Sequence, residues 1–190
     1  MRRTAIAGVV LLLSLGAVLL SGCGGDLGSA RAYVKKGDET IAVVERKSKT
    51  LGSSMEKTFT DLYNEISAGK TPSPTSFDAS ARAMKSRADS MLTDAAEARR
   101  QFAKVRDLKG VPDYRKYADL KVDIIDANVE GLKHLETFLG EAQKKLSATP
   151  FDPVAFQVFV NLFSSDLQKK GEQTGKLQQQ AEELKKQKKL

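Results

Sequence analysis

The chain has 190 residues, of which 31 are lysine or arginine and 24 are aspartate or glutamate, so it is basic overall. It contains one cysteine, which excludes an internal disulfide, and one histidine, which excludes the paired Glu-x-x-His motifs of a di-iron helical bundle. Five prolines and no tryptophan accompany long stretches without helix-breaking residues, so the composition favours a helical protein.

The first 23 residues have the pattern of an export signal. Arg2 and Arg3 form a short basic start, and residues 5–20 are uncharged and rich in leucine, valine and alanine. This apolar run is shorter than the roughly 20 residues that a membrane-spanning helix usually needs. We therefore expect residues 1–22 to be a signal peptide that is removed.

Leu20, Ser21 and Gly22 stand directly before Cys23. This arrangement resembles the lipobox of bacterial lipoproteins, and the resemblance covers residues 1–23 only. It implies that a lipid such as palmitate is carried on Cys23, which anchors the exported protein to membrane lipid. Several acyl chains would hold it durably, since a single myristoyl chain binds a membrane at only about 10⁴ M⁻¹.

The resemblance also implies a location on the extracytoplasmic side of the cell membrane or on the periplasmic face of the outer membrane. The alternative is that Cys23 is an incidental thiol after a signal anchor that stays uncut. Residues 23–190 hold 29 basic and 24 acidic residues, a net charge of +5 that favours anionic surfaces without requiring them.

A tether over about residues 23–28 leads into the first predicted helix, over about residues 29–68. Apolar or small residues recur along it at alternating steps of three and four, which predicts one helical face with a heptad-like, coiled-coil repeat. Gly37 and Gly52 interrupt this helix, and each costs roughly 1 kcal/mol relative to alanine. We expect the helix to depend on packing against its neighbours.

The second predicted helix spans about residues 76–108. Two prolines and a glycine within residues 69–75 end the first helix, and Thr75 with Asp78 forms a predicted capping box for the second. The apolar stripe of this helix is narrow and rich in alanine. Small side chains allow a close approach, so we expect tight packing against one neighbour.

The third predicted helix spans about residues 113–146 and runs antiparallel to the second, because only a short glycine- and proline-containing break separates the two. Its apolar face is wider than that of the second helix, which predicts contact with two neighbours.

The fourth predicted helix spans about residues 153–188. Asp152 followed by Pro153 is a capping residue followed by proline at the first helical position. Phe151 and Phe156 occupy the positions of a hydrophobic staple.

Four long helices with short loops predict an all-α fold, an antiparallel up-down-up-down four-helix bundle formed by residues 29–190 as one domain. Helices of this length make a rod of roughly 50 to 60 Å. A pair of hairpins that is splayed, or swapped between chains, is the alternative, and the oligomeric state stays open.

In such a bundle, the start of the first helix, the loop between helices two and three and the end of helix four share one end. Basic residues gather there, and they are predicted to contact anionic lipid headgroups next to the lipidated cysteine. The alternative is a solvated lysine face with a frayed tail. The predicted contact residues are Arg31, Lys35, Lys36, Lys109, Arg115, Lys116, Lys185, Lys186, Lys188 and Lys189.

Seven of the eight phenylalanines fall toward the opposite end, which predicts an aromatic distal core with Phe102 alone in the other half. Helix four is apolar on more than one side there, because Phe156 and Val160 lie away from the line of Ala155, Phe159 and Leu162. We expect part of this surplus to stay exposed as a patch for a partner or an apolar ligand. The predicted patch residues are Phe151, Phe156, Val160 and Phe163.

Catalytic patterns are absent from the sequence, which contains no glycine-rich phosphate loop and no serine-centred nucleophile motif. His134 is interpreted as a surface or boundary residue, so no metal or cofactor is predicted. Export disfavours nucleic-acid binding.

The sequence predicts a non-enzymatic, lipid-anchored protein of the cell envelope with a structural role or a protein partner. The alternative is a binding protein that holds a small apolar ligand or lipid between its distal helices.

Overall fold

The computed structural model describes residues 25–190, which form four helices: α1 Gly25–Ser67, α2 Pro74–Arg106, α3 Pro112–Leu146 and α4 Pro153–Lys188. Each helix packs against the next along the chain, and α1 also touches α3. The predicted all-α, up-down-up-down four-helix bundle is confirmed.

Residues 1–24 lie outside the described part of the chain. The predicted signal peptide and lipobox, with Cys23, are therefore not covered by the structure. Within residues 25–190, no helix offers an apolar stretch of the length that a bilayer crossing requires.

Local sequence sets the start of α4. The Asp152 carboxylate accepts hydrogen bonds from the backbone N–H groups of Val154 and Ala155, both at 3.0 Å, and proline occupies the first turn. The rings of Phe151 and Phe156 lie 5.9 Å apart, as expected for a hydrophobic staple. Both predictions for this helix start are confirmed.

The start of α2 differs from the prediction. Ser73 is its N-cap, with a side-chain oxygen that accepts from the backbone N–H of Ser76 at 3.3 Å, and the helix begins at Pro74. The capping box predicted from Thr75 and Asp78 is wrong. Proline lacks an N–H and has a preset φ, which suits the first helical position, so the capping role falls to the residue before it.

The interior consists of two clusters, one in each half of the rod. The phenylalanines of the distal half pack together, and the Phe138 ring stacks on Phe163 with centroids 3.7 Å apart. Phe102 belongs to the other cluster, where its ring meets that of Tyr117 edge-on at 6.3 Å. The predicted aromatic distal core is confirmed.

The alanine-rich stripe of α2 is buried, as shown by Ala81, Ala88 and Ala98, which are at most 2% exposed. This helix packs against both α1 and α3, so the expectation of a single neighbour is wrong. In an antiparallel bundle, the helices before and after α2 flank it on two sides, and small side chains allow both to approach.

Candidate functional site

A partly buried polar network joins α1, α3 and α4 in the half of the bundle that contains the start of α1. Asp38 of α1 accepts from the Tyr117 hydroxyl at 2.9 Å and from the Lys185 ammonium at 2.7 Å. The Lys121 ammonium lies 3.7 Å from the same carboxylate, and Lys121 is only 3% exposed. One aspartate thus holds two lysines and a tyrosine from two other helices.

The surroundings keep Tyr117 protonated as the donor of this network. Burial raises the pKa of the Tyr117 hydroxyl above its ordinary value, and the negative charge and hydrogen bond of Asp38 raise it further. The ammonium groups of Lys121 and Lys185 lie 5.7 Å and 5.6 Å from the centre of the Tyr117 ring. We interpret the network as a polar clasp that closes the bundle between α1 and the last turns of α4.

The end of the bundle nearest the start of α1, called here the basic end, is assembled as the topology predicts. The backbone N–H of Lys109, in the loop between α2 and α3, donates to the carboxylate of Asp26 in the first turn of α1. Lys188 in the last turn of α4 lies 3.5 Å from Asp113 at the start of α3. The three chain segments therefore meet at one end.

Half of the basic residues predicted to contact lipid are engaged within the protein. Arg31 donates to the Tyr114 hydroxyl at 3.1 Å, and Arg115 donates to the carbonyl of Leu108. Three more of these residues form ion pairs. Lys35 pairs with Glu39, Lys185 with Asp38 and Lys188 with Asp113.

The other predicted contact residues are exposed and have no ion-pair partner among residues 25–190. These residues are Lys36, Lys109, Lys116, Lys186 and Lys189. They are exposed cations at the basic end, and so is Lys35, whose side chain is 79% exposed beside Glu39.

At the distal end, an apolar groove runs between α1 and the start of α4. Its volume is about 370 Å³. Polar residues of both helices form its rim. The apolar lining residues are Phe59, Leu62, Tyr63, Ile66, Phe156 and Val160. Because α1 and α4 lack the extended backbone contact that joins consecutive helices, their seam stays open here.

The structure divides the predicted patch between core and groove. Phe156 is only 3% exposed and Phe163 is also buried, so the expectation that Phe156 stays exposed is wrong. Phe151 and Val160 are half-buried. Phe163 points inward and stacks on Phe138 of α3, while Phe156 and Val160 line the groove.

The exposed apolar residues of α4 are different ones, and they form what we call the outer ridge. Val154 is 70% exposed, Val158 is 53% exposed and Leu162 is 67% exposed. Spacing by four residues places them along one side of the helix. Leu162, which the sequence groups with Ala155 and Phe159, therefore faces outward, whereas Phe156, Phe159 and Phe163 pack into the distal core.

His134 is half-buried at the joint of α3 and α4, which fits its interpretation as a boundary residue. Its ring lies 5.2 Å from that of Phe163, and its Nε2 lies 3.8 Å from the Asp166 carboxylate. Across residues 25–190, no group of three or more histidine, cysteine, aspartate or glutamate side chains is arranged to hold a metal ion.

Sequence reasoning missed the polar clasp and the outer ridge, although each left a signal. Lys121 stands in the apolar stripe of α3, four residues after Tyr117 and four before Ile125, where a charged residue is unexpected. Residues 153–165 contain no charged residue, which is unusual for a helix with a solvent-facing side.

Comparisons of this chain with protein-family models, with curated proteins and with solved structures found no match.

Proposed function

We propose that this chain is a lipid-anchored helical-bundle protein of the cell envelope, with a structural or protein-interaction role and no enzymatic activity. The observation that carries the interaction role is the outer ridge of α4. Large aliphatic side chains are exposed there on a stretch, residues 153–165, that contains no charged residue, and Glu141 and Asp166 border it beside Leu162. An apolar centre with a charged border is typical of protein interfaces.

The geometry of the bundle supports an arrangement relative to a membrane. Gly25, the first described residue, follows Cys23 by two positions and begins α1 at the basic end. Lipid on Cys23 would set this end against the bilayer, where exposed lysines gain up to about 1 kcal/mol each near anionic headgroups. The outer ridge lies on the far part of α4, since Val158 precedes Lys188 by roughly 45 Å of helix.

Lipidation is tested by metabolic labelling with radioactive palmitate. We expect the unaltered chain to take up label and Cys23→Ala to take up none, because the thiol is the attachment point. Ser21→Ala is the matched control, since it keeps a small residue before the cysteine and should still be labelled. Label on Cys23→Ala would contradict the proposed anchoring.

A second candidate function is supported by the apolar groove between α1 and α4. A volume of about 370 Å³ lies within the range of small-molecule sites, and the floor is formed by aromatic and aliphatic side chains. A small apolar ligand or a lipid chain would fit this surface, with its polar end at the rim near Glu56 or Asn161.

Fluorescence titration with an apolar dye tests the groove. We expect Val160→Ser to weaken dye binding about tenfold, because it puts a hydroxyl into the apolar lining. Val158→Ser is the matched control, since Val158 lies two residues away on the outer ridge and outside the groove. Weakening by Val158→Ser alone would place the dye on the outer ridge and contradict the groove as its site.

A further inference from the structure

The apolar groove between α1 and α4 carries charge of one sign only. Glu56 is its one charged lining residue, and no lysine or arginine of residues 25–190 lines it. Residues 23–190 hold 29 basic and 24 acidic residues, so a groove without a cation departs from the composition of the whole chain. Lys57, which follows Glu56 in the sequence, lines a different cleft between α1 and α2.

The end of the groove at Ile66 coincides with the last turn of α1. Backbone carbonyl groups place partial negative charge at the C-terminus of a helix, where basic side chains compensate it. The other three helices each have at least two basic residues in their last turn, whereas α1 has none. Lys70 lies in the following loop and does not line the groove.

The start of α4 borders the same end of the groove through Phe156, and it offers little attraction to an anion. The N–H groups of its first turn would attract negative charge, but the Asp152 carboxylate already accepts hydrogen bonds from two of them. With Glu56 at the other end, the surroundings of the whole groove favour a cation over an anion.

Aromatic rings add a second attraction for a cation. The face of an aromatic ring carries partial negative charge, which attracts ammonium groups. Phe59 lines the groove one helical turn after Glu56, and Tyr63 follows one turn later with 56% of its surface exposed. The groove therefore combines a carboxylate with aromatic side chains, and both recognise an ammonium group.

We infer that the groove binds a small amphiphile with an apolar body and a cationic, amine-type end. This inference rests on the second candidate function, the binding of an apolar ligand, and names the class of that ligand. The apolar body lies along Phe59, Ile66 and Val160. The ammonium end lies at the rim, where the Glu56 carboxylate and the Asn161 side-chain oxygen accept its hydrogen bonds.

The exposure of Glu56 sets the size of the preference. An ion pair at an exposed site corresponds to at most about a fivefold gain in binding over a neutral end group. An anionic end is repelled by the same carboxylate, so the difference between a cationic and an anionic end is larger, about tenfold. Burial of the apolar body supplies most of the affinity.

Displacement of the apolar dye from the purified full chain tests this inference. The competitors are decylamine, decanol and decanoate, which share one alkyl length and are kept below the concentrations at which they form micelles. The amine is protonated and the acid is ionised at neutral pH. We expect decylamine to displace the dye at about a tenfold lower concentration than decanoate, with decanol between the two.

Two substitutions separate the rim of the groove from the net charge of the protein. Glu56→Gln should reduce the difference between decylamine and decanoate to about twofold, because the end of α1 and the aromatic rings remain. Glu65→Gln is the matched control, since it changes the net charge equally on the same helix but lines the other cleft. Both glutamates are exposed, so we expect both variants to keep the circular dichroism of the unaltered chain.

The outcomes separate the inference from the proposed function. Equal displacement by decylamine and decanoate, or stronger displacement by decanoate, would overturn the cationic ligand and leave the groove as an apolar site. An equal loss of preference in Glu56→Gln and Glu65→Gln would also overturn it, because net charge would then explain the result. If none of the three compounds displaces the dye, the second candidate function fails together with the inference.

Discussion

Asp38→Ala should lower the free energy of unfolding by about 2–3 kcal/mol, because it removes the hydrogen-bond acceptor of Tyr117 and the counter-charge of Lys121 from a partly buried site. The substitution leaves the Lys121 ammonium, in a residue that is 3% exposed, without its counter-charge, and it leaves the Tyr117 hydroxyl without its acceptor. Urea unfolding followed by circular dichroism measures the loss. Lys185 is 37% exposed on its side chain and can turn to solvent, so it adds little.

Asp126→Ala is the matched control for this experiment. Asp126 pairs with Arg99 through two hydrogen bonds of 2.8 and 3.2 Å, but both side chains are about half exposed. An exposed pair contributes at most about 1 kcal/mol. If Asp38→Ala destabilises the protein no more than Asp126→Ala, the polar clasp does not have the assigned role.

Lys121→Met tests whether the charge of Lys121 or the packing of its side chain matters for the free energy of unfolding. It removes the charge that needs compensation and keeps a similar volume, so we expect a loss below about 1.5 kcal/mol. The order of stability is then the unaltered chain, Lys121→Met and Asp38→Ala.

Gly37→Ala should destabilise the bundle by about 1–2 kcal/mol, although alanine is the better helix former by up to about 1 kcal/mol. A Cβ atom at this position would lie 2.6 Å from the tip of the Phe102 ring. Phe102 is fully buried and is held by the edge-on contact with Tyr117, so the ring cannot move aside freely. Thermal and urea unfolding measure the change.

Gly52→Ala is the matched control, because Gly52 lies in the same helix and a Cβ atom added there would have no neighbouring atom within 4 Å. We expect this substitution to stabilise the protein by about 0.5–1 kcal/mol. Phe102→Leu replaces the ring with a smaller side chain. In the double variant, it should therefore reduce the loss in free energy of unfolding that Gly37→Ala causes. Equal stabilisation by both alanine substitutions would show that the close approach of α1 to Phe102 is not tight.

The polar clasp and the apolar groove are two ends of one seam between α1 and α4. Near the basic end, Asp38 and Lys185 join the two helices, and Ala181 and Leu184 are buried beside them. Toward the distal end, no such pair bridges the described residues of the groove, and the helices stand apart. The bundle is therefore closed nearest the proposed anchor and open at the end that carries the outer ridge.

The candidate surfaces of α4 were only partly predictable from the sequence. An apolar excess around Phe156 and Val160 is visible in the residues, and Val160 does line the groove. Which of the surplus residues stay exposed depends on how α4 is rotated against α1 and α3. Periodicity does not select a face when apolar residues occur on several sides of a helix. The prediction grouped Leu162 with Phe159 and set Phe156 apart as surplus, whereas Phe156 is buried and Leu162 is exposed.

The sequence alone determined the number of helices, their approximate ends and the aromatic character of the distal core. These features depend on local causes, namely prolines and glycines between helices, the Asp152 cap and apolar residues at helical spacing. Only the tertiary structure decided that Asp38 meets Lys121, that Gly37 admits Phe102 and that Val158 faces outward. Each of these results depends on the relative rotation and approach of whole helices, which the spacing of residues along one helix does not specify.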